Sequence, residues 1–225
     1  MNIFSTVKKK LFLSTTIVMG LILFICSICS CSNNAPQLRE ANLTVIFDYK
    51  SKDSLPTARM GVFVEAVSNQ KRIDSLKVFA KGSDLIWESN NLLLAENEEQ
   101  KYLGCVNLVM PQNQEFPAGE YTIEFQQYDE EKTEMKYVLS YDKSFYNAKT
   151  EQVASLMNKN MGSRMLKIFD ADKKVIYYGP RTYEFSTARG IWNVYSQAKE
   201  FQEIWISGNK SVICNFPIEK VEPGV

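Results

Sequence analysis

The chain has 225 residues, with 26 basic and 26 acidic side chains, no histidine and a mean hydropathy of −0.23. Balanced charge without a long run of either sign excludes the basic stripe of a nucleic-acid binder, and 45% hydrophobic with 12% aromatic residues excludes a disordered chain. The missing imidazole removes Ser-His-Asp triads, Cys-His nucleophiles and histidine-based zinc motifs together.

In chain order the first pattern is one of export. Lys8, Lys9 and Lys10 precede a mostly apolar run from Leu11 to Ile28, and Ser30 then leads into Cys31. A charged flank, an apolar segment and a small-residue cleavage point are the three parts of a secretory signal. Of Cys26, Cys29 and Cys31, only Cys31 follows a small residue, which a signal peptidase needs for close approach to the scissile bond. Ile28-Cys29-Ser30-Cys31 resembles the lipobox of bacterial lipoproteins, with an aliphatic residue three positions before the cysteine. The resemblance covers residues 1–30 and implies cleavage before Cys31 and acylation of that cysteine, palmitate included. Several chains would hold stably where a single acyl chain holds only marginally. It also implies a lipid anchor in the cell membrane or outer membrane, with the remainder in the periplasm or on the cell surface. An uncleaved membrane helix is the alternative, since Leu11–Ile28 comes near the roughly 17–25 residues of a span. Its densest part, Ile17–Cys26, has the length of a signal core instead, and Ser14, Thr15 and Thr16 dilute the rest.

Beyond the leader, 26 basic side chains less its three leave 23 against 26 acidic, a net of about −3. Cys105 and Cys214 are the remaining cysteines. In an oxidising compartment they could form one disulfide. Each also sits in an apolar, strand-like setting that suits a separate buried thiol.

Residues 31–41 are polar and contain Pro36, and read as a lipidated tether. From Asn42 the pattern becomes that of short strands with period-two alternation. They cover Leu43–Tyr49, Arg59–Val67, Leu76–Ala80, Leu85–Glu88 and Tyr102–Met110. Phe116-Pro117-Ala118-Gly119 sets a turn, after which Tyr121, Ile123 and Phe125 share one strand face. Pro117-x-Gly119-x-Tyr121 resembles the lead-in to a late strand of immunoglobulin-like and fibronectin-like sandwiches. Met135–Tyr141 follows a polar tip at Asp129–Lys132. The period then changes: Val153, Leu156, Met157 and Met161 recur at helical spacing, with Thr150 as the expected cap and Gly162 as the stop. Strands resume at Met165–Phe169 and Val175–Tyr178 around Asp170–Lys173. Thr182–Phe185 and Gly190–Tyr195 read as strands, Ser196–Phe201 as a helical turn. Glu203–Ile206 and Ser211–Phe216 flank a hairpin turn at Ser207–Lys210.

The expected fold is mainly β, an antiparallel immunoglobulin-like β-sandwich with one short helix in the second half. Residues 42–146 form the sandwich, and 147–225 are a second small domain or an extension of it.

Marked chemistry is sparse. Four Ser-x-x-Lys pairs beyond the leader, Ser207/Lys210 among them, lack the companion elements of penicillin-binding enzymes. Asp170-x-Asp172 lacks the glycine and distal glutamate of a calcium loop. No catalytic residue, metal ligand or cofactor is assigned. The binding hint is aromatic: Tyr177 and Tyr178 are strand neighbours, so one should face outward, and Tyr177, Tyr178 and Trp192 are candidate ligand-facing residues. The expected function is a lipid-anchored envelope protein with a non-catalytic binding or structural domain. Its partners would be the membrane and an envelope protein or carbohydrate, with no nucleic acid. A periplasm-facing enzyme or transport accessory with an unmarked site is the alternative.

Overall fold

A computed structural model describes residues 36–96, 100–111, 114–129 and 131–221; Cys31 and its leader lie outside the described residues. The strands are β1 (Gln37–Asp48), β2 (Thr57–Ser68), β3 (Ile73–Ala80), β4 (Ile86–Ser89), β5 (Leu93–Glu96), β6 (Lys101–Val109), β7 (Gly119–Gln127), β8 (Lys132–Leu139), β9 (Ser163–Phe169), β10 (Val175–Pro180), β11 (Glu200–Ile206) and β12 (Val212–Lys220). The helices are α1 (Thr150–Lys159) and α2 (Ala188–Val194).

Two sheets stack face to face. One has the order β4-β3-β7-β8; the other has eight strands in the order β10-β9-β11-β12-β1-β2-β6-β5. All neighbours are antiparallel except β1 and β12, which run parallel with Asp48 opposite Asn215. The β-sandwich expected from alternation is thus the observed architecture, and its larger sheet runs on through the C-terminal strands.

Alternation decides which side chains fill the sandwich. Leu43, Val45 and Phe47 of β1, Met60, Val62 and Val64 of β2, and Tyr121, Ile123 and Phe125 of β7 are all fully buried in one core. Phe47 packs at 5.7 Å on Phe145 and edge-on at 5.0 Å on Tyr146, within the spacing favoured by aromatic pairs. Gly119 has φ +132°, a conformation that favours glycine, and starts the strand from which the Tyr121 hydroxyl donates back to the Pro117 carbonyl at 2.7 Å.

Gly104 answers to a close approach. A Cβ there would lie 1.8 Å from the Val62 carbonyl oxygen and 2.8 Å from the Phe63 Cα. Both obstacles are backbone, so β2 and β6 must separate to admit a methyl group. Gly104→Ala is expected to cost about 3 kcal/mol, the upper range for overpacking, read as a lowered denaturation midpoint by circular dichroism.

α1 forms where the helical period begins, and Val153 and Met157 are its buried residues on the main core. The details differ from the sequence reading. Lys149 is the N-cap, and Thr150 is already helical and donates its hydroxyl to the Lys52 carbonyl at 2.9 Å. Met161, expected on the helix face, lies past the helix at φ 50° and is 84% exposed.

Other elements also depart from expectation. β1 begins at Gln37, inside the stretch expected as tether. β5 was not expected at all; its burial pattern is exposed throughout, so no alternation marks it. Gly190–Tyr195 is not a strand: α2 occupies Ala188–Val194, capped by the Thr187 hydroxyl accepting from the Gly190 N–H at 3.1 Å. Thr182–Phe185 is likewise a 3-10 turn over Tyr183–Phe185. The second half therefore has two helices, and β-branched and aromatic composition misled because a cap and tertiary packing outweigh strand propensity. A second cluster forms there, with Leu166, Ile168, Phe185, Ile191, Ala198, Phe201 and Val221 as its buried members.

Candidate functional site

Between the two clusters, on one face of the large sheet, lies a cleft of about 400 Å³, within the usual size range of small-ligand sites. Register places its floor. Phe201, Glu203 and Trp205 of β11 stand opposite Ile168, Leu166 and Arg164 of β9, and side chains of directly paired residues share a face. Arg181 joins them because its N–H donates to the Arg164 carbonyl at 3.0 Å, just past the end of β10. Lys52, Thr150 and Glu151 of the first turn of α1, Ser186, and Ala188 at the start of α2 also line the cleft. Phe216, Glu219 and Lys220 of β12 complete it.

Glu203 is the centre. It is 7% exposed, and both its oxygens are engaged twice. Oε1 accepts from Arg164 Nε at 2.7 Å and Trp205 Nε1 at 2.9 Å. Oε2 accepts from Arg164 Nη2 at 2.6 Å and from Arg181 Nη1. Four donors fill the roughly four acceptor positions of a carboxylate. Arg181 also donates through Nη2 to the Ser186 carbonyl at 2.9 Å, and the Arg164 guanidinium stacks 5.7 Å over the Trp205 ring. One buried negative charge thereby fixes two guanidiniums, and the trio carries a net charge of +1. Also in the lining, Lys52 pairs with Glu219 at 3.0 Å. The chemistry on offer is oriented N–H donation and an excess of positive charge.

The residues singled out from the sequence do not converge on this cleft. Tyr177 packs inside the second cluster, 4.9 Å from Phe185 and 5.8 Å from Tyr195, with its hydroxyl donating to the Pro180 carbonyl at 2.8 Å. Tyr178 turns to the opposite face, 54% exposed and 5.5 Å from the Lys167 ammonium. Trp192 packs against the second cluster under Lys199. Asp170 accepts from the N–H groups of Asp172 and Lys174 at 3.0 and 2.9 Å and so is a turn residue. Ser207 serves its hairpin likewise, accepting from the Val212 N–H at 3.0 Å. Sequence reasoning missed Glu203, Arg164 and Arg181. The available signal was an isolated acid inside the apolar run Phe201–Ile206, a position that burial makes costly unless the acid is paired.

Cys105 and Cys214 are separate, buried free thiols. β1 and β2 lie between β12 and β6, which sets the two backbones roughly 14 Å apart at normal strand spacing. A disulfide needs Cα atoms within about 7 Å, so the disulfide alternative fails on topology. Burial pushes the Cys214 thiol well above its ordinary 9.0, with Asp48 adding to the rise. Burial also raises Cys105, against opposing hydrogen bonds from the Asn107 backbone and the Ser89 side chain. Tyr49, Tyr121 and Tyr141 are raised chiefly by burial too. The folded state therefore holds these protons more tightly than the unfolded chain, which releases them from about pH 9 upward. Stability is full below that pH and falls as pH rises through the alkaline range. Urea midpoints between pH 7 and 10.5 should decline accordingly, and both thiols should react with a thiol reagent only on unfolding.

Among the described residues, no helix is long and apolar enough to cross a membrane, and no group of three or more Cys, Asp or Glu could hold a metal ion. Compared with known proteins, the chain matches no protein-family model and no curated protein sequence.

Proposed function

We propose that this chain is an exported lipoprotein, anchored through Cys31, whose β-sandwich serves as a non-catalytic binding protein of the bacterial envelope. The observation that carries the binding part is the Glu203 clamp. With four donors filling its acceptor positions, the Glu203 carboxylate serves to orient Arg164 and Arg181 at the cleft.

Residues 32–36 lie between Cys31 and Gln37, where β1 starts. β1 then runs 12 residues, roughly 35 Å at strand rise. β12 runs parallel to it, and Glu219 lies four residues beyond the Asp48–Asn215 pair. The cleft therefore lies beyond the Asp48 end of β1, opposite to the Gln37 end.

The sandwich itself is read as immunoglobulin-like. Its support is the order β1-β2-β6-β5 over β4-β3-β7-β8, which follows A-B-E-D over C′-C-F-G. The Tyr121 hydroxyl bond to Pro117 has the form of the tyrosine corner found in such domains.

The test of the anchor is the mass of the N-terminal peptide from membrane-purified protein. A lipid-modified peptide beginning at Cys31 is the expected result. A peptide beginning at Met1 or Asn2 would overturn the lipoprotein reading and leave the uncleaved helix.

A further inference from the structure

From the donors left over at the Glu203 clamp we infer that the cleft is an oxyanion site, which takes a small organic ligand through its carboxylate. The inference rests on the reading of the cleft as a binding site and names its ligand class. Each guanidinium has five N–H donors. Arg164 uses Nε and Nη2 on Glu203, and Arg181 uses Nη1 on Glu203 and Nη2 on Ser186. Among the described residues three donors remain on each arginine, and Glu203 has no acceptor position left to receive them.

Those donors belong to partly accessible groups: the Arg164 side chain is 45% exposed and that of Arg181 16%. Charge points the same way. Four cationic side chains and three carboxylates line the cleft, and the Lys52–Glu219 and clamp pairings leave the two arginines sharing one negative charge. A second carboxylate entering beside Glu203 would complete a two-arginine, two-carboxylate arrangement, with fork-to-fork geometry available on Arg164. The remaining lining suits an organic body behind that group. Phe201 and Phe216 offer apolar ring surface, and Thr150 and Ser186 add hydroxyls to the lining. A uronic acid or an aliphatic hydroxy acid has this combination of carboxylate, carbon face and hydroxyls. Phosphate and sulfate share the oxyanion chemistry without the body.

Isothermal titration of the membrane-purified full chain in detergent would compare glucuronate, glucose, phosphate and sulfate. Saturable glucuronate binding, with no binding of glucose, is expected. Arg164→Gln should weaken glucuronate at least tenfold, while Lys173→Gln, which alters a Glu200 pair that is not part of the cleft lining, should not. Because Arg164→Gln also removes a partner of the buried Glu203, a second measurement uses the unaltered protein. Arginine modification by phenylglyoxal, read by peptide mass, should slow at Arg164 under saturating glucuronate and stay constant at Arg39, whose side chain is 69% exposed. Binding of phosphate or sulfate as tight as that of glucuronate would overturn the organic-acid assignment. Glucose binding with Arg164 unprotected would overturn the oxyanion site while leaving a binding cleft. No binding of any probe would overturn the oxyanion assignment, and the anchor reading would still stand or fall on the N-terminal peptide alone.

Discussion

Glu203→Ala is expected to lower the unfolding free energy by about 3 kcal/mol. Removing one partner of a buried ion pair costs about 3–5 kcal/mol, because the other charge stays behind without compensation. The exposure of Arg164 sets the value at the lower end. Arg164 reaches solvent at 45% side-chain exposure and can be hydrated, whereas Arg181 at 16% cannot do so fully. Trp205, 9% exposed, also loses the acceptor of its indole N–H, an unmet bond that costs on the order of 1 kcal/mol or more. Urea titration followed by tryptophan fluorescence measures the change, and Trp205 reports on the site directly. A shift below about 1 kcal/mol would mean that the clamp is a surface ion pair in effect, since such pairs contribute roughly 0–1 kcal/mol. Glu203→Gln keeps a hydrogen-bond acceptor but loses the charge, and should fall between the two.

Phe47→Ala should cost about 3–5 kcal/mol, the range for deleting a buried aromatic ring. Phe47 is fully buried at the centre of the large sheet and contacts the rings of Phe145 and Tyr146. Those rings belong to the loop that precedes α1, where Phe145 is itself fully buried. The cavity would thus loosen the join between sandwich and helix, and the surroundings could close it only by moving the chain that positions Thr150 beside the cleft. Against a total stability of about 5–15 kcal/mol for a domain, such a loss leaves the fold marginal at 37 °C. Tyr178→Ala is the matched comparison: a ring of similar size, 54% exposed on the outer face, whose removal should stay within about 0.5 kcal/mol. Thermal melts of the two variants should therefore separate widely.

What could be read from the sequence is what one element carries by itself. Tyr121, Ile123 and Phe125 alternate, and all three are fully buried. Val153 and Met157 recur at helical spacing, and α1 forms there. The turn residues Asp170–Lys173 and Ser207–Lys210 close hairpins between β9 and β10 and between β11 and β12. In each case the signal and the structure share a period of a few residues, so local chemistry is enough. Edge strand β5 and helix α2 escaped because their packing does not follow such a period: β5 is exposed along its length, and α2 buries a single residue, Ile191.

Only the tertiary structure decided the rest, and for a common reason. The parallel pairing of β1 with β12 joins residues more than 160 positions apart, and nothing within either strand names its neighbour. That pairing places two strands between Cys105 and Cys214 and keeps both as thiols. It also carries Glu219 and Phe216 to the cleft. Glu203 meets Arg181 and Arg164 across separations of 22 and 39 residues. In sequence each is one of 26 charges on its side of the balance. They become a site when strand register brings two guanidiniums to one buried carboxylate, because burial makes their pairing obligatory.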